Sequence, residues 1–94
     1  MRAELLRPDD QVVWQDVPDA ELVLLNPNTG GYYGLNATGG RLWRALASRP
    51  RSPDELVDEL VAAYRVDRDT ARADVARLVA ALRDAGLVAA TAAT

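Results

Sequence analysis

The chain contains no cysteine and no histidine in its 94 residues. Without cysteine it forms no disulfide and offers no thiolate nucleophile; without histidine it lacks the usual imidazole base and the commonest zinc ligand. A reducing, cytoplasmic setting fits that inventory. Lysine is missing too, so all eleven basic residues are arginines. Such usage reads as a GC-rich coding bias rather than as a device for bidentate recognition. No apolar run at the N-terminus has signal-peptide length, and none approaches the roughly 18 residues of a membrane span, so neither export nor membrane insertion is expected. A basic excess is also lacking: the net charge is −3 and the pI is near 4.8. Phosphate backbones call for the opposite balance, and nucleic acid is not an expected partner.

What remains is apolar at 49% of positions, which is enough for one modest core and sets a single domain over residues 1–94. Met1 to Asp10 reads as a polar lead-in. Val12 to Val17 carries strand-forming residues, and Pro18-Asp19-Ala20 supplies a turn. Glu21 to Asn26 is nearly continuous in apolar residues and reads as a central strand buried on both faces. Pro27-Asn28-Thr29-Gly30-Gly31 is a strong turn signal before a short aromatic strand, Tyr32 to Asn36. These three segments make a meander.

The period then changes. Thr38 is placed to cap a helix with Leu42, Trp43 and Leu46 on its apolar face, ending before Pro50. Ser52, Pro53, Asp54 and Glu55 form a capping box with proline at the first helical position. The helix they open has Leu56, Leu60, Ala63 and Tyr64 as its expected buried stripe. A third helix starts near Asp67 or Asp69, buries Ala71, Val75, Leu78, Val79 and Leu82, and stops at Gly86, with Leu87 and Val88 folding back onto it. The small, uncharged tail Ala89 to Thr94 is expected to fray. Strands followed by helices, rather than alternating with them, predict an α+β domain: a three-stranded antiparallel sheet followed by three helices.

Few residues are candidates for chemistry. Ser48, Ser52 and the threonines have no histidine or lysine to activate them. Asp54, Glu55, Asp58 and Glu59 read as a solvated face with favourable charges near a helix N-terminus. Asp67, Asp69 and Asp74 lack the glycine and the terminal glutamate of a calcium loop. Neither Gly30-Gly31 nor Gly39-Gly40 matches a phosphate-binding loop. The first pair suits a hairpin turn and the second a close helix-to-sheet contact. No catalysis and no cofactor are expected. Tyr32 and Tyr33 point to opposite faces of their strand, so one packs inward, and the other is left open between edge filler and binding surface. Gly34 weakens that strand and removes a side chain where another backbone could approach.

The order Asn26, Gly30, Tyr33, Leu35-Asn36, Thr38-Gly39, then Leu42-Trp43 and Leu46, Pro53 with Glu55-Leu56-Val57, Tyr64, Val66-Asp67, Asp74-Val75, Leu78, Leu82 and Gly86-Leu87-Val88 resembles the PqqD-like family of peptide-recognition elements. The resemblance covers roughly residues 9–88 and rests on order and spacing together. It implies a winged helix-turn-helix-like fold that binds the leader segment of a ribosomally made precursor peptide as an added strand against the third strand, in a groove bordered by the third helix. Carried onto this chain, it makes Gly31, Tyr32, Tyr33, Gly34 and Leu35 the docking edge, and Arg68, Arg72, Ala76, Val79 and Arg83 the groove wall, with the arginines available to acidic leader residues. Free-standing members of this kind resemble those of lasso peptide clusters, which work with a separate leader peptidase, and those of quinone cofactor clusters, which work with a radical enzyme. Arginine-rich, lysine-free usage resembles that of actinobacterial chains, where the lasso setting is common. A monomer or weak dimer is expected. A winged-helix DNA binder is the competing expectation, but Asp67, Asp69, Asp74 and Asp84 offset the arginines of the third helix.

Overall fold

A computed structural model describes residues 4–17 and 21–92. The expected Pro18-Asp19-Ala20 turn, Met1 to Ala3 and the last two residues of the tail lie outside the described residues. Eight elements follow in order: β1 (Glu4–Pro8), β2 (Val13–Val17), β3 (Glu21–Asn26), β4 (Gly31–Leu35), α1 (Ala37–Ser48), α2 (Pro53–Tyr64), α3 (Arg68–Asp84) and β5 (Val88–Ala92). The meander is as expected: β2, β3 and β4 form an antiparallel sheet in that order, followed by the three helices, a winged-helix-like α+β arrangement. Among the described residues no helix is long and apolar enough to cross a membrane.

Two elements were not expected. Residues of the supposed lead-in form β1, and the segment expected to fray forms β5; the two pair antiparallel from Glu4 with Ala92 to Pro8 with Val88. Leu6 supplies the reason. It is fully buried beside the helices, and its backbone also bridges to Arg51, with Leu6 N–H donating to Arg51 O at 2.6 Å and Arg51 N–H to Leu6 O at 2.9 Å. An apolar anchor in β1 thus gives the C-terminal residues a ladder to close.

β3 is central in the sheet but buried on one face only. Leu22, Leu24 and Asn26 are buried, whereas Leu25 is 38% exposed. Pairing on both sides satisfies its backbone, so its second face is free to meet solvent. The tight turn after it has Gly30 at φ +76°, with its N–H donating to Asn26 O at 2.8 Å. Asn26 ties this turn to the end of α3 by donating from Nδ2 to Gly86 O at 2.8 Å, while its Oδ1 accepts from Asn28 N–H at 3.0 Å.

Asn36, not Thr38, caps α1: its Oδ1 accepts from Gly39 N–H at 2.8 Å. Both residues are good N-cap types, and the end of β4 at Leu35 decides between them by bringing the chain to Asn36 already extended. Leu42, Trp43 and Leu46 are buried as expected. α2 begins with the full capping box: Ser52 N–H donates to Glu55 Oε1 at 3.0 Å and Glu55 N–H to Ser52 Oγ at 3.2 Å. Its stripe is rotated from expectation, burying Leu56, Val57 and Leu60 and leaving Ala63 and Tyr64 exposed. α3 packs across α2 on the Val57 side, and this contact sets the rotation. α3 itself is capped by Asp67 and buries Ala71, Val75, Val79 and Leu82. It ends in a Schellman motif: Gly86 (φ +71°) donates to Arg83 O at 3.0 Å and Leu87 to Leu82 O at 2.9 Å, with Leu82 and Leu87 both buried.

Candidate functional site

Of the sheet's two edges, β4 runs beside a helix. β3 pairs with it along one side, from Leu22 with Leu35 to Asn26 with Gly31, and among the described residues no strand pairs with the other. Beyond that free edge lies a groove of about 330 Å³ between β4 and α3. Its β4 side is Tyr33, Gly34 and Leu35; its floor includes Leu42 of α1 and Leu60 of α2; its far wall is Asp74, Arg77 and Leu78 of α3. Leu35, Leu42 and Leu60 are each 2% exposed. The groove therefore has an apolar bottom, an unpaired backbone along one lip and a charged pair on the other, Arg77 lying 2.6 Å from Asp74.

The two tyrosines are resolved by register. Tyr33 pairs with Leu24, shares its inward face and packs against the core, so it is the tyrosine that borders the groove. Tyr32 pairs with Leu25 on the outer face and is 64% exposed.

The glycines of this strand differ. A Cβ on Gly31 would lie 1.7 Å from Ala85 O, because the end of α3 passes directly against the start of β4. Gly31 is thus demanded by the fold. A Cβ on Gly34 would have nothing within 4 Å, and its backbone is not in the left-handed region. The fold gives no reason for a glycine there. Gly39 sits 3.0 Å from Leu35 by the same measure, which is the close contact between α1 and the sheet expected of Gly39-Gly40.

On α3, four of the five residues expected to form the wall lie together, but away from the groove beside β4. Arg72, Ala76, Val79 and Arg83 line a different recess of about 380 Å³, against Pro53, Asp54 and Val57 of α2. Arg68 also turns toward α2, donating to Asp58 Oδ1 at 2.6 Å. None of the five lines the groove beside β4. The helical period explains the split: at about 100° per residue, Asp74, Arg77 and Leu78 share one side of α3, while Arg72, Ala76 and Arg83 fall on another. Leu78, expected in the core with Val75 and Val79, is half-exposed and faces the groove instead, while Asp74 and Arg77, which carry no apolar signal, were not expected at the wall. Ala85, whose carbonyl lies against Gly31, projects within about 20° of Asp74 at 100° per residue, on the side of Arg77 and of the half-exposed Leu78.

Charge on α3 is largely compensated. Arg68 meets Asp58, Arg77 meets Asp74, Arg83 meets Glu4, and Arg72 approaches Asp69 at 3.9 Å. The acidic run of α2 is similarly engaged, with Glu59 on Arg41 at 2.9 Å and Glu55 on Arg49 at 3.0 Å. Glu55 is held below the usual carboxylate range, first by the Ser52 backbone N–H and then by Arg49.

Comparison with known proteins bears on this geometry. No curated protein sequence matches the chain. Among solved structures, it is similar to TbiB1 in complex with the TbiA(β) leader peptide, at 39% identity and a TM-score of 0.77, over 87% of this chain and 93% of that one. It is also similar to a lasso peptide synthetase B1 complexed with the leader peptide, at 27% identity and a TM-score of 0.74, over 89% of this chain and 96% of that one. Residues 21–88 match the family model described as coenzyme PQQ synthesis protein D (PqqD). That span contains β3, β4, all three helices and every residue of the groove, and the chain belongs to the PqqD family.

Proposed function

We propose that this chain is a non-catalytic adaptor that binds the leader segment of a ribosomally synthesised precursor peptide, of the lasso type, and delivers it to a separate leader peptidase or other modifying enzyme. The observation that carries the reading is the free edge of β4 facing an apolar groove. An extended peptide laid along Gly31, Tyr32, Tyr33, Gly34 and Leu35 would continue the sheet, gaining main-chain hydrogen bonds worth on the order of 0.5–1.5 kcal/mol each. Alternate side chains of that peptide would point at the floor made by Leu35, Leu42 and Leu60. Two similar proteins described with leader peptides support the same reading. The pathway is the finer part: the family model is described by coenzyme synthesis, whereas both structural relatives are described in complex with a leader peptide, and the second is itself a lasso peptide synthetase B1. The second of these favours the lasso setting.

In this reading the α3 wall of the groove is Asp74, Arg77 and Leu78. Arg68, Arg72, Ala76, Val79 and Arg83, on the α2 side, stay outside the strand's path. DNA binding is disfavoured by the paired arginines of α3, which leave that helix without the uncompensated basic stripe a phosphate backbone needs. The test is a fluorescence-anisotropy titration of a labelled synthetic leader against the unaltered chain and against Leu78→Lys and Ala76→Lys. Leu78→Lys should weaken binding about tenfold or more and Ala76→Lys should not. The opposite ranking would move the peptide to the α2–α3 recess, and saturable binding to no leader would remove the adaptor reading.

A further inference from the structure

A buried amide ties the end of α3 to the sheet, and it does so at the closed end of the groove. Asn26 is 2% exposed and stands at the last position of β3. Ser52, the other buried polar residue among those described, has its burial explained by the cap of α2. Asn26 caps no helix. Its Nδ2 donates to Gly86 O at 2.8 Å and lies 3.5 Å from Asp9 Oδ1, while its Oδ1 accepts from Asn28 N–H at 3.0 Å. One side chain thus joins the β3–β4 turn, the end of α3 and the loop before β2. Two neighbours act on the same joint. Thr29 Oγ1 lies 3.5 Å from Ala85 O and accepts from Gly31 N–H at 3.1 Å, and Asp9 N–H donates to Leu87 O at 3.0 Å.

The joint and the groove lie at opposite ends of β4. At Gly31 the end of α3 passes directly against the strand, whereas near Gly34 and Leu35 the helix stands across the groove at Asp74, Arg77 and Leu78. Strand and helix therefore bound a wedge that closes at Ala85. At about 1.5 Å of rise per residue, Leu78 is about 10 Å and Asp74 about 16 Å from Ala85 along the helix. A swing of about 10° at the joint would carry these two by about 2 Å and 3 Å, several times the roughly 0.5 Å range over which a hydrogen bond stays good. Apolar contacts of α3 with α2 resist separation but have no preferred direction. The hydrogen bonds at Asn26 set both a distance and an angle. We propose that Asn26 is a positioning residue for peptide capture: by tying Gly86 to the β3–β4 turn, it sets the width of the slot between the free edge of β4 and the α3 wall. An entering strand then meets ladder and wall already at the right spacing, so no binding energy is spent on arranging them. The inference rests on the peptide-docking reading of β4.

The test compares Asn26→Ala, Asn26→Asp and, as a control, Ser52→Ala, which weakens the fold at the far end of α2, outside the groove. Asn26→Asp keeps an acceptor for Asn28 N–H but has no donor for Gly86 O, so it separates the turn from the tie to α3. Each chain is titrated with a labelled synthetic leader at a temperature where circular dichroism shows it folded, and again in trimethylamine N-oxide, which favours the compact state. If the released helix holds the right angle about a tenth of the time, the apparent Kd weakens about tenfold. Both Asn26 variants should show that loss or more, with and without the osmolyte, and Ser52→Ala should bind within about twofold of the unaltered chain. Folded Asn26 variants that bind within about twofold would overturn the inference. So would full recovery of binding in the osmolyte, which would reduce Asn26 to a stabilising residue, and so would a loss confined to Asn26→Ala, which would give the effect to the turn. If the unaltered chain binds no leader at all, the adaptor reading itself fails.

Discussion

Proline placed at Tyr33 and, separately, at Gly34 divides the two sides of β4. In an antiparallel ladder, consecutive backbone N–H groups point in opposite directions, so one of these two faces β3 and the other faces the free edge. Proline removes the N–H in either case. At the position facing β3 it breaks an internal ladder bond and leaves a carbonyl of β3 unpaired, costing about 1–3 kcal/mol of stability. For a domain of this size each kcal/mol lowers Tm by about 4–8 °C. At the edge-facing position no internal bond is lost, and the folded chain should melt close to the unaltered protein. There the loss falls on the peptide instead: one main-chain bond is gone and the peptide's carbonyl is desolvated without a donor. The same 1–3 kcal/mol then becomes a Kd weakened by about 5- to 150-fold. Thermal denaturation and leader titration on both variants give the assay. One variant should lose stability, and the other should lose binding with its fold retained. Two folded variants that bind leader as well as the unaltered chain would refute strand addition, and two unfolded variants would refute a free edge.

Three further outcomes follow from the packing. Gly31→Ala forces a Cβ onto Ala85 O and should destabilise by about 1–3 kcal/mol or more, whereas Gly34→Ala meets open space and should be neutral or stabilising by about 0.5–1 kcal/mol; paired melting curves check both. Ser52→Ala removes the side-chain half of the capping box from a buried N-cap and should cost about 1 kcal/mol, read from the urea midpoint at unchanged m. Because Glu55 has its pKa lowered in the folded state, its contribution is fully present above the ordinary carboxylate value and fades as pH falls through the folded value. The Tm gap between the unaltered chain and Glu55→Gln should accordingly shrink on acidification below about pH 4.5, and a gap that widened would contradict the capping role.

The parts of this fold legible in the sequence are those fixed by a few neighbouring residues. Ser52, Pro53 and Glu55 announce the start of α2, Gly86 with Leu87 announces the end of α3, and Gly30 marks the turn into β4; each is a local geometry that only certain side chains permit. The pairing of β1 with β5 joins the two ends of the chain, and five residues of each carry no periodicity strong enough to signal it. It depends on Leu6 finding the core, which is a tertiary event. α2 shows the same limit more subtly: its apolar residues allow a stripe toward Tyr64 or toward Val57, and the packing of α3 selects the second. For the site, the strand from Tyr32 to Leu35 was readable as a short aromatic segment behind a glycine turn, whereas its use as a docking edge was implied only by the family resemblance. Which face of α3 stands across the groove was not readable, because that depends on the crossing of α3 past the sheet. Contact between Ala85 and Gly31 fixes that crossing, and with it Asp74, Arg77 and Leu78 as the wall.

Amide hydrogen exchange, with and without saturating synthetic leader, tests strand addition most directly. The prediction is slowed exchange at the edge-facing amides of Gly31–Leu35, with smaller effects at Asp74–Leu78 of α3 and little change in β2. Bound leader with no protection in β4, or with protection centred on the α2–α3 recess at Arg72, Ala76 and Val79, would contradict it.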